Sequence, residues 1–180
     1  MPLGEIGEAL LLAAARKVVE ALRARGWRLA TAESCTGGGV AHAITAIPGS
    51  SEVFDRGFVT YSTDAKVERL GVALETLGRH GAVSEPVARE MADGALRASR
   101  ANVTVAITGI AGPEGGTADK PVGTVCFAWA TLDSALVVRT EHLSGDRAAV
   151  RTAAIRVALD GVLALASPDA TDVPRTGGDG

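Results

Sequence analysis

Apolar residues recur along the chain with two different periods, and each period predicts one kind of element. A spacing of three or four residues is typical of amphipathic helices, whereas alternation or a short apolar run is typical of strands. Helices are predicted over 6–25, 36–47, 64–70, 84–99 and 146–166. Strands are predicted over 27–32, 56–62, 103–108, 122–130 and 135–143. Between the third and fourth strands, a glycine-rich loop is predicted over 109–123.

The order of these elements predicts an α/β fold. Helices that alternate with strands cover both faces of one sheet, so we expect a three-layer α/β/α sandwich. The last two strands are joined by a tight turn at 132–134, which makes the sheet mixed and partly antiparallel. Residues 1–166 are predicted to form a single domain. Residues 167–180 carry almost nothing apolar and are predicted to be a disordered tail.

Composition narrows the class of protein. The 180 residues are 47% hydrophobic with a net charge of −3, which argues against a basic nucleic-acid-binding surface. No apolar run approaches the roughly 18 residues of a membrane span, and acidic residues precede the first apolar stretch, unlike in a signal peptide. We therefore expect a cytoplasmic protein with no membrane or nucleic-acid partner. The two cysteines are too few for a disulfide scaffold, and the three histidines are isolated, so no metal is predicted.

The first candidate site lies where a predicted strand meets a predicted helix, in the stretch AESCTGG. Backbone N–H groups at a helix start favour negative charge, so the segment Thr36, Gly37 and Gly38 is a candidate oxyanion hole. Ser34 is the candidate nucleophile beside it. Cys35 is a minor alternative, because a helix start can lower a thiol pKa. The other interpretation is that Ser34 or Thr36 only caps the helix.

The second candidate pairs Tyr61 with Lys66 in the stretch VTYSTDAK. Tyr61 is the only tyrosine of the chain and lies at the end of a predicted strand, where ligand sites of α/β sheets gather. A serine nucleophile needs a base, and a lysine can act as one when burial lowers its pKa. The alternative is a half-buried strand tyrosine and a solvated helix lysine.

A third candidate is the glycine-rich stretch TGIAGPEGG. Successive backbone N–H groups without side chains can cradle a phosphate. The candidate binding residues of this loop are Thr108, Gly109, Gly112, Gly115 and Gly116. The loop has neither Walker nor Rossmann spacing, and a purely structural loop is the alternative.

A fourth candidate is Arg147, which follows Asp146 at the start of the last predicted helix. A cation in the first turn opposes the helix dipole, so an arginine held there is a candidate ligand for an anion such as phosphate. The alternative is a surface arginine paired with Asp146 or another acid.

Together, these stretches resemble the CinA C-terminal domain family. The resemblance rests on LATAESCTGG (29–38), PGSSEVFDRGFVTYSTDAK (48–66), GAVSEPVAREMADGAL (81–96), TGIAGPEGGTADKPVG (108–123) and SGDRAAVR (144–151). It covers roughly 6–166, with the motifs in family order. The family includes nicotinamide-nucleotide amidase, so the resemblance implies hydrolysis of nicotinamide mononucleotide to nicotinate mononucleotide and ammonia, a step of pyridine-nucleotide salvage.

The resemblance also implies roles for individual residues. Ser34 corresponds to the family's nucleophile, and Tyr61 and Lys66 correspond to its partners in proton transfer. Thr108 and Arg147 correspond to residues that line the nucleotide site. Which of Tyr61 and Lys66 is the immediate base stays open at this point.

The resemblance further implies a homo-oligomer that acts on a small-molecule nucleotide without metal or cofactor. Glu114 stands where many relatives carry a small residue, which can alter the loop but not the catalytic set. Two other functions are considered. One is a non-catalytic nucleotide-binding module that uses the same pocket. The other is a phosphotransferase, which the absence of a Walker lysine in the sequence disfavours.

Overall fold

The chain forms a five-stranded sheet with helices on both faces. The structure is a computed structural model that describes residues 3–167. The helices are α1 (Leu3–Arg25), α2 (Gly39–Thr45), α3 (Thr63–Leu70), α4 (Leu74–His80), α5 (Glu85–Arg97) and α6 (Arg147–Ala166). The strands are β1 (Leu29–Glu33), β2 (Phe54–Val59), β3 (Val103–Gly109), β4 (Thr124–Thr131) and β5 (Leu136–His142). A 3-10 turn lies at Ser50–Glu52, and the predicted tail lies, from 168 onwards, outside the described residues.

The sheet is mixed, as predicted. Its strand order is β2-β1-β3-β4-β5, with β1 parallel to both of its neighbours and β4 antiparallel to both of its own. In the parallel part, Glu33 lies opposite Val59 on one side and Ile107 on the other. The carboxyl ends of β1, β2 and β3 therefore share one edge of the sheet, where open α/β sheets bind their ligands.

Two apolar layers cover the sheet and confirm the predicted α/β/α sandwich. Neighbouring strand residues point to opposite faces, so Phe127 belongs to one layer and Ala128 to the other. The first layer contains Val18 and Leu159 and buries α1, α2 and α6. The second contains Met91 and buries α3, α4 and α5.

The second helix begins later than its sequence pattern predicts. We expected it to start at 36, but α2 starts at Gly39. The cause is backbone geometry, because Gly37 and Gly38 adopt φ values of 61° and 90°, in the left-handed region that favours glycine. Residues 34–38 consequently form a turn at the end of β1, which we call the nucleophile loop. Strand β2 also ends at Val59, so Tyr61 follows the strand rather than belonging to it.

Helix α4 has no counterpart among the predicted elements. It is only seven residues long, and its N-cap residue, Ala73, has no side chain that can cap. The capping carboxylate comes from α5, where Glu90 accepts hydrogen bonds from the Ala73 N–H at 2.8 Å and the Thr76 hydroxyl at 2.6 Å. Local sequence therefore contains little of the signal for this helix.

The close packing of α6 on β4 gives a test of the fold. Gly161 lies against the Trp129 ring, and the Trp129 Nε1 donates to the Ala158 carbonyl at 3.0 Å. A Cβ at position 161 would collide with the ring, so Gly161→Ala should lower the free energy of unfolding by about 1–3 kcal/mol. Urea denaturation measures this change.

A matched control is available in α4. No heavy atom lies near the position that a Cβ would take at Gly78, so Gly78→Ala should stabilise the protein by up to about 1 kcal/mol through helix propensity. Equal effects of the two substitutions would contradict the packing of α6 described above.

Candidate active site

A cavity of about 220 Å³ opens at the carboxyl edge of the parallel strands. Ser34 follows β1, Tyr61 follows β2, and Thr108 lies near the end of β3, so three strand ends converge there. The residues that line the cavity are Ser34, Cys35, Tyr61, Thr63, Lys66, Ala82, Val83, Thr108, Gly109, Ala111 and Arg147. The second and fourth sequence candidates, together with parts of the first and third, thus meet in one place.

The centre of the cavity is a hydrogen bond between Lys66 and Ser34. The Lys66 Nζ lies 3.0 Å from the Ser34 Oγ and donates to the Thr60 carbonyl at 2.7 Å. The Lys66 side chain is only 1% exposed, although it is long and polar, and burial lowers the pKa of its amino group. A neutral amine at this position can accept the Ser34 proton, which is what a serine nucleophile requires.

Local structure explains how Lys66 reaches inward. Ser62 caps α3, because its side chain accepts a hydrogen bond from the Ala65 N–H at 3.1 Å. The cap starts the helix directly after the turn that follows β2, and Lys66 then lies in the first turn and a half, facing the sheet edge. The interpretation of Lys66 as a solvated helix residue is therefore wrong.

The nucleophile loop is fixed from both ends by backbone hydrogen bonds. At its start, the Ser34 N–H donates to the Ile107 carbonyl at 2.9 Å, which extends the pairing of β1 with β3. At its end, the buried Glu33 carboxylate accepts from the N–H groups of Val40 at 3.0 Å and Ala41 at 2.9 Å. Glu33 thus occupies the N-terminal donors of α2, and these are not free to bind a ligand.

Inside the loop, some backbone N–H groups already have a hydrogen-bond partner and others do not. The Gly37 N–H donates to the Ser34 carbonyl at 3.0 Å and closes a turn. Within residues 3–167, the Thr36 N–H makes no hydrogen bond. Of the predicted oxyanion donors, Thr36 and Gly38 therefore have N–H groups without a partner among these residues, while the Gly37 N–H is used in the turn; none of the three residues lines the cavity.

Cys35 is poorly suited to be the nucleophile. Burial raises the pKa of its thiol to about 11, with a smaller opposing contribution from its own backbone N–H. The thiolate is the reactive form of cysteine, so the thiol is inert near neutral pH. The adjacent Ser34 has the hydrogen bond to the Lys66 Nζ, a contact that the Cys35 thiol does not make among the described residues.

Tyr61 and Arg147 form a second pair at the mouth of the cavity. The Arg147 Nη2 donates to the Tyr61 hydroxyl at 2.9 Å, and its Nη1 donates to the Gly112 carbonyl at 2.8 Å. Tyr61 is 59% exposed, and its hydroxyl is hydrogen bonded to Arg147 rather than to the serine or lysine. Asp146 instead caps α6 through the Ala149 N–H, so it is not the partner of the Arg147 guanidinium.

The glycine-rich loop contributes unevenly to the cavity. Thr108 and Gly109 line it, and the Thr108 hydroxyl donates to the Ala82 carbonyl at 2.8 Å. Gly112 contributes its carbonyl to Arg147, as described above. Gly115 and Gly116 do not line the cavity; the first has a φ of 91° and the second packs against the Val122 backbone, so both shape the loop.

Sequence reasoning missed several residues that build this site. Thr60 holds the lysine through its main-chain carbonyl, which has no sequence signature. Glu33 had a usable signal, because a carboxylate at the end of an otherwise apolar strand calls for a buried partner. Arg151, whose Nη2 donates to the Thr36 carbonyl, had a signal too, since it follows Arg147 by one helical turn and therefore shares its face.

The described part of the chain has no cluster of three or more potential metal ligands. Among the same residues, no helix is long and apolar enough to cross a membrane.

A buried serine–lysine pair at the edge of a mixed sheet defines an α/β protein with a candidate site for nucleophilic catalysis. The chain belongs to the CinA C-terminal domain family, whose sequence profile matches residues 12–166. The resemblance found in the sequence motifs is thereby confirmed.

Similar proteins include a named enzyme. The chain is 58% identical over 149 residues to the nicotinamide-nucleotide amidohydrolase PncC of Escherichia coli K12, covering 83% of this chain and 90% of that protein. It is 55% identical over 144 residues to a CinA-like protein of Syntrophobacter fumaroxidans, but covers only 34% of that longer protein.

Solved structures share the fold closely. The competence/damage inducible protein CihA of Agrobacterium tumefaciens superposes with a TM-score of 0.85 at 47% identity, over 87% of this chain and 96% of that one. A CinA superfamily protein of Escherichia coli superposes with a TM-score of 0.78 at 40% identity, over 92% and 93% of the two chains.

The burial of both cysteines predicts their chemical behaviour. Burial also raises the pKa of Cys126, so neither thiol should react with iodoacetamide in the folded protein at pH 7.5. Intact mass measurement should find no adduct on native protein and two after unfolding in guanidinium chloride. Rapid alkylation of native Cys35 would restore it as a candidate nucleophile.

Proposed function

We propose that the protein is an amidohydrolase that converts nicotinamide mononucleotide to nicotinate mononucleotide and ammonia. The observation that carries the proposal is the hydrogen bond of 3.0 Å between a buried lysine amine and the Ser34 hydroxyl. The substrate is taken from the similar enzyme of Escherichia coli, whose name states a nicotinamide nucleotide and amide hydrolysis.

The reaction begins with attack of the Ser34 Oγ on the carboxamide carbon. Lys66 in its neutral form accepts the serine proton as the C–O bond forms. The carbonyl oxygen becomes an oxyanion, and we propose that the unpaired N–H groups of the nucleophile loop stabilise it. Lys66 is assigned as the immediate base, because it contacts Ser34 whereas the Tyr61 hydroxyl contacts Arg147.

Collapse of the oxyanion then breaks the C–N bond. The proton held by Lys66 passes to the leaving nitrogen, and ammonia departs. A water molecule attacks the acyl-enzyme and gives one proton to the now neutral Lys66. The released acid ionises to nicotinate, and its proton passes to ammonia or to solvent. The lysine then returns the proton to the Ser34 Oγ, so the enzyme is regenerated without a metal or cofactor.

Arg147 and the glycine-rich loop are proposed to bind the ribose phosphate. The cavity of about 220 Å³ is smaller than the roughly 300–1,000 Å³ typical of pockets that enclose a drug-sized ligand. We infer that the nicotinamide ring enters the cavity while the phosphate stays at its mouth. Arg147 lies there with its guanidinium held by Tyr61 and Gly112, and a guanidinium binds phosphate through charge-assisted hydrogen bonds.

We propose that the enzyme takes part in pyridine-nucleotide salvage, because its proposed product is a pyridine nucleotide. We propose that it works there in the cytoplasm as a homo-oligomer, as the family resemblance implies.

Ammonia release from nicotinamide mononucleotide tests the function directly. Wild-type protein should release ammonia, and Ser34→Ala should lower kcat by at least about 1,000-fold, because the attacking oxygen is lost. Ser51→Ala is the matched control, since this serine is exposed on the 3-10 turn away from the cavity, and it should keep wild-type activity. Bound nucleotide without ammonia would favour a non-catalytic binding module.

The pH dependence of kcat/KM tests the role of Lys66. The active form is the neutral amine, so activity should be low at acid pH and rise as pH passes the pKa of Lys66. Burial lowers that pKa, so the midpoint should lie below the ordinary lysine value of about 10.4. A midpoint at the ordinary value, or a Lys66→Met variant that retains the wild-type rate, would contradict the assignment.

A further inference from the structure

Arg151 reaches from the last helix to the nucleophile loop. It lies on α6, one helical turn after Arg147, and its Nη2 donates to the Thr36 carbonyl at 3.0 Å. The contact joins residues 115 positions apart in the sequence. The same carbonyl accepts from the Gly39 N–H at 3.1 Å, so it is held on two sides.

One nitrogen of the Arg151 side chain has no partner of its own. Its Nε is buried and has no hydrogen-bond partner among residues 3–167. Buried donors in proteins are nearly always paired, and an unpaired one destabilises the fold. The bond from its Nη2 to the nucleophile loop is thus the one hydrogen bond of this guanidinium among residues 3–167.

The contact helps to anchor the nucleophile loop around the unpaired N–H group of Thr36. The Ser34 carbonyl is held by the Gly37 N–H, and the Thr36 carbonyl is held by Arg151 and Gly39. The peptide group that carries the Thr36 N–H lies between these two anchored peptide groups. Without Arg151, the Thr36 carbonyl would keep only the hydrogen bond from the Gly39 N–H. This bond lies in a glycine-rich turn, where the backbone is most permissive.

The positive charge of Arg151 also acts on the loop. Burial raises the pKa of Cys35, and the Arg151 charge is among the influences that oppose this rise. Cys35 is the neighbour of Ser34, so the same charge lies close to where the oxyanion would form. A fixed positive charge beside a developing negative one stabilises the transition state.

We propose that Arg151 is a positioning residue for deamidation: by holding the Thr36 carbonyl, it fixes the nucleophile loop that carries Ser34 and the unpaired Thr36 N–H. This inference rests on the proposed function. Because Arg151 does not line the cavity, it acts through the loop and not by touching substrate.

The test compares Arg151→Met with Arg151→Lys. Met removes the charge and the donor while keeping much of the bulk, so kcat should fall about 10- to 100-fold as the loop loses its alignment. KM should stay within about threefold, because the substrate contacts are intact. Lys restores one donor and the charge, so it should recover part of the lost kcat.

Arg156→Met is the matched control on the same helix. Arg156 is exposed and pairs with Asp160 at 2.8 Å, so the loss of its charge should leave kcat and KM unchanged. Circular dichroism and melting temperature check that each variant folds. If Arg151→Met does not fold, the Arg151→Lys variant tests the proposal instead. A reduced kcat of Arg151→Lys at an unchanged melting temperature supports the proposal.

A second readout separates this inference from the choice of substrate. A fluorophosphonate reacts with an activated serine when the Ser34 Oγ forms a bond to phosphorus and fluoride leaves, and intact mass measures the rate. Slower labelling of Arg151→Met than of wild type supports the positioning role, even if nicotinamide mononucleotide is not the substrate. Equal labelling, an unchanged kcat, a loss confined to KM, or a wild-type Ser34 that takes up no label would overturn it.

Discussion

The buried amino group of Lys66 is the constraint on which the site depends. Charged ammonium groups are strongly destabilised away from water, so burial favours the neutral amine. The structure offers this amine two partners, the Ser34 hydroxyl and the Thr60 carbonyl. In the proposed reaction, the neutral lysine is the base and the serine it contacts is the nucleophile. The burial that destabilises the ammonium form therefore also supports the proposed chemistry.

The packing behind Lys66 keeps it in place. Helix α3 lies against α5, and Gly94 allows this because a Cβ there would collide with the Leu70 carbonyl at the end of α3. At the other end, the Ser62 cap determines where α3 begins. The lysine therefore projects from a helix whose two ends are both fixed, which limits the freedom of a long side chain.

The sheet topology brings the remaining groups to the same edge. Because β1 is parallel to β2 and β3, the residues that follow these three strands meet, whereas the antiparallel β4 starts beside the end of β3. Helix α6 then connects the loops from outside. Arg147 contacts Tyr61 and the glycine-rich loop, and Arg151 contacts the nucleophile loop, so one helix face spans the site.

The sequence by itself determined the elements and the chemistry-bearing positions. Its periods predicted most helices and strands and the α/β/α layers, because apolar patterning is a local property that follows the period of each element. Its motifs singled out Ser34, Tyr61, Lys66, Thr108 and Arg147, which all line the cavity. Only the tertiary structure decided how these residues are paired. The Lys66 contact with Ser34, the Tyr61 contact with Arg147 and the capping of α4 by Glu90 all depend on elements that are distant in sequence, and the partners of a side chain across such distances are set by packing rather than by local pattern.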